Sequence, residues 1–476
     1  MHSRLADDLA RLPELLASTQ DLAGRVLSGL HDRPVAAKVK PLEPEPLPHH
    51  GVGLDGALAR FGERWEGGFS GSAGPRYLGF VTGGATPASV AGDWLTSAYD
   101  QNVVTRLDSS AVELERETVR WLAELLGIAG HSGMFVTGAT MSNFVGLTLA
   151  REWLGERSGV SVAREGVGVL GDVVVLSGAP HSTVYKALSM TGLGRDRMRR
   201  VPVLDGREAV DVAALRAELE RVGRPAVVVA NAGTVNTGDF DDLRAVAALK
   251  ESFPFWLHVD AAFGGLAVLS REHAPLLDGL AEADSVCVDL HKWLNVPYDA
   301  AVQFSRRPDL QVAVFQNAAA YLGWERSLRS DPSDTALSPR DEATGFPGED
   351  PDPVHLTPES SRRLRALAAW FSLTAYGVDG HREIVERDIA CARRFGAGLA
   401  RIPGVRLLAP VRLNVVCFAV PGDVAAVAEA VAETGEAFLT TTVHDGVPAL
   451  RAAFSNWRTE DSDVDRVLAA LGRVLG

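Results

Sequence analysis

The segment FWLHVDAAFGG at residues 255–265 decides the fold class of this sequence. It opens with a short, almost entirely apolar run, closes that run at Asp260 and continues into a turn of small residues. A run of this length without a polar face is typical of a strand that is covered on both sides. We therefore expect a buried strand of a parallel sheet, with Asp260 at its carboxyl end.

Four further runs of the same kind flank this segment and alternate with longer stretches of helical periodicity. From about residue 87 to residue 304, this alternation is the signature of an α/β fold, a mostly parallel sheet with helices on both faces. The predicted strands are DVVVLS (172–177), AVVVAN (226–231), FWLHVD (255–260), SVCVD (285–289) and AAVQF (300–304).

The remaining patterns divide the chain into three parts. Residues 1–86 combine leucines at helical spacing with a proline-rich stretch, which predicts an N-terminal helical arm and linker. A large domain at 87–375 and a small C-terminal α+β domain at 376–476 are expected to follow. Within the large domain, residues 322–358 are rich in proline and charge and predict a mobile functional loop, after which a helix resumes at 361–374.

Composition and charge exclude several classes of protein. The 476 residues carry 47 Lys+Arg against 61 Asp+Glu, a formal net charge of −14, so no nucleic-acid partner is expected. No apolar run is long enough for a membrane span, and the first residues lack the apolar core of a signal peptide. Three scattered cysteines show no metal-ligand spacing, which predicts reduced thiols, no metal and a cytoplasmic location (Cys287, Cys391 and Cys417).

Four polar residues lie at or just beyond the ends of predicted strands. His181, Thr234 and Lys292 follow strands closely, and Asp260 closes one. In an open α/β sheet the carboxyl ends of the parallel strands share one edge, so these side chains can converge in a single crevice. Taken alone, each of these residues is best interpreted as a solvent-exposed surface residue. Their common position at one edge of the sheet is what favours a functional site.

The residue types at this edge suit a particular cofactor. A lysine that can lose its proton forms a Schiff base with an aldehyde, and a buried carboxylate such as Asp260 stabilises a protonated pyridine nitrogen. These are the two demands that pyridoxal phosphate makes of a protein. The turn TGAT at residues 137–140 precedes a helical stripe, and free N–H groups at a helix N-terminus suit a phosphate.

Residues from about 75 to 476 resemble the group II pyridoxal-phosphate amino-acid decarboxylases, the family of aromatic amino-acid, histidine and glutamate decarboxylases. The resemblance implies a fold-type I enzyme, aspartate-aminotransferase-like, with a mostly parallel seven-stranded sheet. It also implies a homodimer with shared active sites, to which the N-terminal arm contributes contacts. The motifs that carry it are FVTGGATPASVAGDWL (80–95), TGATMSNFVGLTLAR (137–151), APHSTVYKA (179–187), NAGTVNTGDFDD (231–242), HVDAAFGG (258–265), DLHKWLNVPYD (289–299), SSRRLRALAAW (360–370) and FSNWRTEDSDVD (454–465).

The resemblance implies a role for individual residues. Lys292 matches the Schiff-base lysine, Asp260 the partner of the pyridine nitrogen, and His181 the imidazole stacked on the ring. Around the ring, the resemblance places Ala262 on the face opposite His181 and Thr234 close by. It assigns the phosphate to Ala139, Thr140 and His291. Phe80 and Thr82 are expected to contact the substrate, as is Asn102 from a second subunit.

The nature of the product depends on a proton donor. The family usually carries a tyrosine in the mobile loop that reprotonates the carbon from which carbon dioxide has left. Residues 348–359 contain no tyrosine, and His355 stands about where one is expected. The ordinary pKa of histidine makes His355 a candidate donor, although it can equally be a solvated loop histidine.

The predicted function is therefore α-decarboxylation of an L-amino acid to an amine and carbon dioxide. The alternatives are an oxygen-consuming aldehyde synthase on the same scaffold, an aminotransferase, which would need a second carboxylate clamp, and a cofactor-free binding protein. Phe80 and Tyr77 favour an aromatic substrate, whereas the polar Asp100, Gln101 and Asn102 leave a smaller polar amino acid open.

Overall fold

The computed structural model describes residues 1–37, 42–317 and 351–476. Its larger sheet has seven strands: β1 Ser132–Val136, β2 Val175–Ser177, β3 Met198–Arg200, β4 Ala226–Asn231, β5 Phe255–Asp260, β6 Ser285–Asp289 and β7 Ala301–Ser305. The strand order is β1-β7-β6-β5-β4-β2-β3. Neighbours from β6 to β3 pair in parallel, and β7 runs antiparallel to both β6 and β1. The predicted mostly parallel sheet is confirmed.

The central strands are buried on both faces, which explains their continuous apolar sequences. In β4, Val228 and Ala230 enter one hydrophobic core, while Val227 and Val229 enter a second core on the other side. Both cores contain side chains of helices, so each face of the sheet is covered. A strand in this setting needs no alternation of polar and apolar residues.

Two ends of the sheet differ from the prediction. The run at 172–177 pairs only over β2, because Asp172 turns outward into surface ion pairs with Arg197 and Arg224. The short β3 and the antiparallel β1 were not predicted. Both lie at the outer edges of the sheet, where the apolar signal of the sequence is weak.

Helices cover this sheet and form the N-terminal arm. Among the described residues, none of them has both the length and the apolar character of a membrane span. The α-helices are Ser3–Ala10, Leu12–Ser28, Gly53–Arg64, Pro87–Tyr99, Ala111–Leu125, Ala139–Arg157, Val162–Glu165, Ser182–Met190, Val212–Val222, Leu243–Ala248, Leu290–Trp293, Pro308–Phe315, Ala366–Leu399, Val424–Glu433 and Asp461–Leu475.

The helix expected at 361–374 begins later, at Ala366. Arg362 is the reason: its side chain turns inward to the Glu115 carboxylate at 2.7 Å and to two backbone carbonyls. Its backbone N–H is also bonded to Asn102 Oδ1 at 2.7 Å, so the chain enters the helix from an extended segment. The helix then runs to Leu399 across an interruption at Gly377, where φ is 58°.

The residues after Gly377 carry a second sheet with its own core. Its strands are β8 Arg406–Leu407, β9 Val415–Ala419, β10 Thr440–His444 and β11 Val447–Ala453, all antiparallel in the order β10-β11-β9-β8. Phe395 packs in this core against Phe418 and Phe454, with ring centroids 5.7 and 5.5 Å apart. Strand β11 brings Arg451 towards the larger sheet, where it lines the cavity described next.

Candidate active site

A cavity of about 260 Å³ lies at the carboxyl edge of the parallel strands. Asp260 comes from the end of β5, and Lys292 from the short helix that follows β6. His181 and Thr234 come from the turns after β2 and β4. The structure thus brings together the four strand-end residues that the sequence singles out.

Most of the predicted site residues line this cavity, but not all of them. Within the described part of the chain, Thr140, Thr82, Asn102 and His355 are not part of its wall. The predicted residues that do line it are Phe80, Ala139, His181, Thr234, Asp260, Ala262, His291 and Lys292.

The amine of Lys292 lies next to a carboxylate and an aromatic ring in the cavity. The Nζ atom lies 2.7 Å from Asp289 Oδ2 and 6.0 Å from the centre of the Phe263 ring. Burial alone lowers the pKa of Lys292, but the neighbouring carboxylates of Asp289 and Asp260 outweigh it, so that the pKa is raised. The side chain is held as an ammonium until a ligand or a change of charge displaces Asp289.

Asp289 is a site residue that sequence reasoning missed. Its Oδ1 accepts the backbone N–H of Ala139 at 2.6 Å, at the first turn of the helix Ala139–Arg157. One carboxylate therefore bridges the lysine and the N–H group that the resemblance assigns to the phosphate. His291 lies beside it, with Nε2 3.7 Å from Asp289 Oδ2 and Nδ1 bonded to the Ala300 carbonyl at 2.9 Å.

Asp260 is held by two donors at the end of β5. Asn143 Nδ2 donates to Oδ2 at 3.1 Å, and the backbone N–H of Ala262 donates to Oδ1 at 3.2 Å. The residue is only 6% exposed, although it lines the cavity. A carboxylate fixed in this way presents an acceptor to a cationic N–H donor in the cavity.

His181 caps the N-terminus of the helix Ser182–Met190. Its Nδ1 accepts the Thr183 backbone N–H at 3.3 Å and lies 2.8 Å from the Thr183 hydroxyl. Burial lowers the pKa of His181, and the charge of Asp260 partly offsets that shift. The ring is therefore oriented by the helix start and favours the neutral form at the cavity wall.

Arg451 is a second residue that sequence reasoning missed. It lines the cavity from β11, and burial lowers its pKa to about 10. No described residue bonds its buried Nε. The signal in the sequence was an arginine inside the otherwise apolar run VPALRAAF, since such a residue is rarely buried without a partner.

Asn102 and His355, two of the predicted residues outside the cavity, have structural partners instead. Asn102 binds the Arg362 backbone, and the neighbour of Thr82, Gly83, lies so close to the Lys292 carbonyl that a Cβ atom would come within 1.7 Å of it. His355 is buried, and its Nδ1 accepts the Asn317 N–H at 3.2 Å. It is therefore not a solvated loop histidine, and burial lowers its pKa.

The groups in the cavity match the needs of pyridoxal phosphate. Lys292 offers an amine for its aldehyde, and Asp260 an acceptor for its pyridine N–H. Ala139 and His291 line the same cavity; the Ala139 N–H lies at a helix start that suits a phosphate, although Asp289 accepts it here, and His181 offers a flat ring. The lysine, the carboxylate, the helix start and the imidazole ring therefore fit the cofactor.

Comparison with known proteins agrees with this chemistry. The model of the pyridoxal-dependent decarboxylase conserved domain matches residues 67–343. An L-2,4-diaminobutyrate decarboxylase of Rhizobium meliloti is 30% identical over 447 residues, which cover 90% of this chain and 83% of the relative. An aromatic-L-amino-acid decarboxylase of Bacillus atrophaeus is 27% identical over 414 residues, or 83% of this chain and 80% of the relative.

The fold is also found among solved structures. A 4-hydroxyphenylacetaldehyde synthase of Rhodiola rosea superposes with a TM-score of 0.82 at 22% sequence identity, covering 98% of each chain. Because the matched domain spans more than half of the sequence and contains the lysine, the carboxylate and the imidazole of the cavity, fold and site point to one conclusion. The chain belongs to the pyridoxal-dependent decarboxylases, carboxy-lyases of fold type I that act on amino acids.

Proposed function

We propose that this enzyme removes the α-carboxylate of an aromatic L-amino acid and releases the amine, with Lys292 as the residue that holds pyridoxal phosphate covalently. The observation that carries the proposal is the convergence of Lys292, Asp260 and His181 in one cavity. Bound pyridoxal phosphate supplies an electron sink for the pair left behind when the bond between Cα and the carboxylate breaks. Side chains of the protein are proposed to hold the cofactor, orient it and bind the substrate.

Asp260 is proposed to keep a proton on the pyridine nitrogen. Its carboxylate is oriented by Asn143 and Ala262 and is shielded from bulk water, so its charge acts at full strength on a nearby cation. His181 is proposed to orient the ring from one face, because its own position is fixed at the start of a helix. Together these residues would keep the bound cofactor cationic and hold its ring in place, which are the conditions that loss of carbon dioxide asks of the protein.

The cavity wall supports an aromatic substrate. Phe80, Phe263 and Tyr298 supply rings, and Arg451 adds a buried cation whose Nε is free among the described residues. A buried guanidinium without a partner suits a carboxylate of the substrate. The same charge disfavours a side chain that ends in an ammonium group, so we place an aromatic substrate ahead of diaminobutyrate.

The donor of the final proton decides between an amine and an aldehyde. His355 is buried and is not part of the cavity wall, so the segment that carries it would have to move for His355 to reach Cα. Tyr321, directly before the predicted loop 322–358, is a second candidate from the sequence and lies outside the described residues. If no donor reaches Cα, dioxygen takes the electrons instead, and aldehyde, ammonia and peroxide are released.

A homodimer with shared sites is part of the proposal. Trp94, Tyr99 and Leu107 flank Asn102 in the sequence and have large apolar, exposed side chains, and exposed apolar side chains of this kind favour association. The free, buried cysteines suit a cytoplasmic location. Sedimentation velocity of the purified protein should give a dimer, and a monomer at micromolar concentration would contradict shared sites.

The substrate is tested directly with a panel of amino acids. Purified enzyme loaded with pyridoxal phosphate is offered the twenty common amino acids and 2,4-diaminobutyrate, and amine, aldehyde and peroxide are quantified. We expect amine from one or more aromatic amino acids and no turnover of diaminobutyrate. Turnover confined to diaminobutyrate or to other non-aromatic amino acids would refute the aromatic proposal.

A further inference from the structure

A continuous chain of buried and half-buried hydrogen bonds runs beneath the cavity and joins Asp260 to His181. It begins at a tryptophan of β5 and passes through a side chain of β6 and Asn143 of the helix Ala139–Arg157. The links are Trp256 Nε1 to Ser285 Oγ at 2.9 Å, Ser285 Oγ to His258 Nδ1 at 2.8 Å, His258 Nε2 to Asn143 Oδ1 at 2.8 Å, Asn143 Nδ2 to Asp260 Oδ2 and to Thr183 Oγ1 at 3.1 Å each, and Thr183 Oγ1 to His181 Nδ1 at 2.8 Å.

The two ends of the first part of this chain fix its direction. Trp256 can only donate, so Ser285 accepts from it, and the Ser285 hydroxyl proton remains available for His258 Nδ1. At the other end the carboxylate of Asp260 only accepts, so Asn143 must turn its NH₂ group towards it. The Asn143 oxygen then faces His258, whose Nε2 carries the proton.

The opposite arrangement fails at the carboxylate. If His258 carried its proton on Nδ1, its Nε2 would need a donor, and the Asn143 amide would have to rotate. The amide oxygen would then face Asp260 Oδ2 across a distance of 3.1 Å, with no proton between them. Two acceptors at that separation in a buried site repel each other, so one arrangement is selected.

The second proton of the same amide fixes His181. Asn143 donates to the Thr183 hydroxyl, which is then free to donate to His181 Nδ1. That nitrogen also accepts the Thr183 backbone N–H, so the proton of a neutral His181 ring lies on Nε2. The Asn143 amide thus contributes both to the orientation of Asp260, together with the Ala262 N–H, and to the tautomer of His181, together with the Thr183 N–H.

The residues around this series of hydrogen bonds favour the arrangement. Burial lowers the pKa of His258 to about 4, which keeps the ring neutral with one proton to place. Gly146 makes the space, because a Cβ atom there would lie 2.6 Å from His258 Nδ1 and 3.0 Å from Ser285 Oγ. The adjacent register of His258 and Ser285 on β5 and β6 completes the arrangement.

We infer that Asn143 is a positioning residue for the reaction, and that His258 acts through it by orienting its amide. The inference rests on the proposed roles of Asp260 and His181. It predicts that the two residues act as one unit, so that replacing both should lower kcat no further than replacing Asn143 alone. A merely structural contribution of each would add independently.

The test compares variants in the loaded enzyme. Asn143→Leu removes both donors at similar volume, and we expect kcat to fall about tenfold or more, with KM within about threefold and faster loss of cofactor on dilution. His258→Leu should show the same pattern, and the double variant should have the kcat of Asn143→Leu alone. His258→Gln, which can still donate to Asn143, should recover part of the loss.

Thr148→Val is the matched control. Thr148 is a buried residue of the same helix, and no described residue bonds its hydroxyl, so kcat and cofactor loss should stay as in the wild type. Additive losses in the double variant, or a kcat of Asn143→Leu within twofold of the wild type, would overturn the inference. If Asn143→Leu does not fold, equal losses in His258→Leu and His258→Gln overturn it.

Failure of the inference and failure of the proposed function can be told apart. Wild-type protein that retains no pyridoxal phosphate would contradict the proposed function itself. If the wild-type protein retains the cofactor and is active, and the variants have the same kcat and cofactor retention, only the role of Asn143 and His258 is contradicted.

Discussion

Lys292 Nζ and Asp289 Oδ2 lie 2.7 Å apart, in an ion pair between the end of β6 and the helical turn that follows it. The same carboxylate accepts the Ala139 N–H at the start of the helix Ala139–Arg157. Asp289 therefore connects the covalent and the phosphate-binding ends of the proposed cofactor site. Its charge holds the lysine as an ammonium, whereas attack on an aldehyde requires the neutral amine.

Replacing Asp289 should make the lysine reactive at lower pH. Asp289→Asn removes the charge that raises the pKa of Lys292, and burial then lowers that pKa. In the wild-type apoprotein, the rate of pyridoxal phosphate capture should rise with pH as Lys292 loses its proton. In the variant, the midpoint should shift down by about one pH unit or more. An unchanged midpoint, measured by absorbance in stopped flow, would show that Asp289 does not control the lysine.

Asp260 should be needed for rate and for retention of the cofactor. With Asp260→Ala the pyridine nitrogen loses its counter-charge, so turnover should fall by orders of magnitude and cofactor should be lost on dialysis. Asp260→Glu keeps the charge and should retain part of the rate. Steady-state kinetics within a few-fold of the wild type in the alanine variant would refute the role.

Arg451 should act on substrate binding more than on the bond-breaking step. Arg451→Met keeps the bulk of the side chain and removes the cation, so KM should rise about tenfold or more while cofactor binding is kept. Arg451→Lys should lie between this variant and the wild type, because a lysine supplies charge without the planar fork. An unchanged KM in the methionine variant would show that Arg451 does not contact the substrate.

The proton donor is identified by the product of two single variants. Tyr321→Phe and His355→Phe each remove one candidate, and the variant that lacks the true donor should release aldehyde and consume oxygen while substrate loss continues. The other variant serves as its control and should still form amine. Unchanged amine yield in both would place the donor elsewhere, with His181 next to be replaced.

The strands that position the site could be predicted from the sequence alone. The bounds of β4, β5 and β6 agree with the prediction, because strands covered on both faces carry long apolar runs. The convergence of His181, Thr234, Asp260 and Lys292 followed from topology, since all of them come from the same edge of the sheet.

The supporting residues could not be predicted in this way. Asn143 and His258 bond to partners that are distant in the sequence, as Asp289 does to Ala139, and only the folded chain brings these groups together. The late start of the helix at Ala366 has the same cause, since the buried ion pair of the preceding segment overrides local helical periodicity.

The central claim is that Lys292 makes this protein an amino-acid decarboxylase. The most direct measurement is carbon dioxide release from carboxyl-labelled amino acids by the wild type and by Lys292→Ala, with borohydride reduction and peptide mass spectrometry in parallel. The account predicts release by the wild type, cofactor fixed to the peptide that contains Lys292, and loss of turnover in a variant that remains folded. Undiminished release by Lys292→Ala, or cofactor fixed to a different lysine, would contradict it.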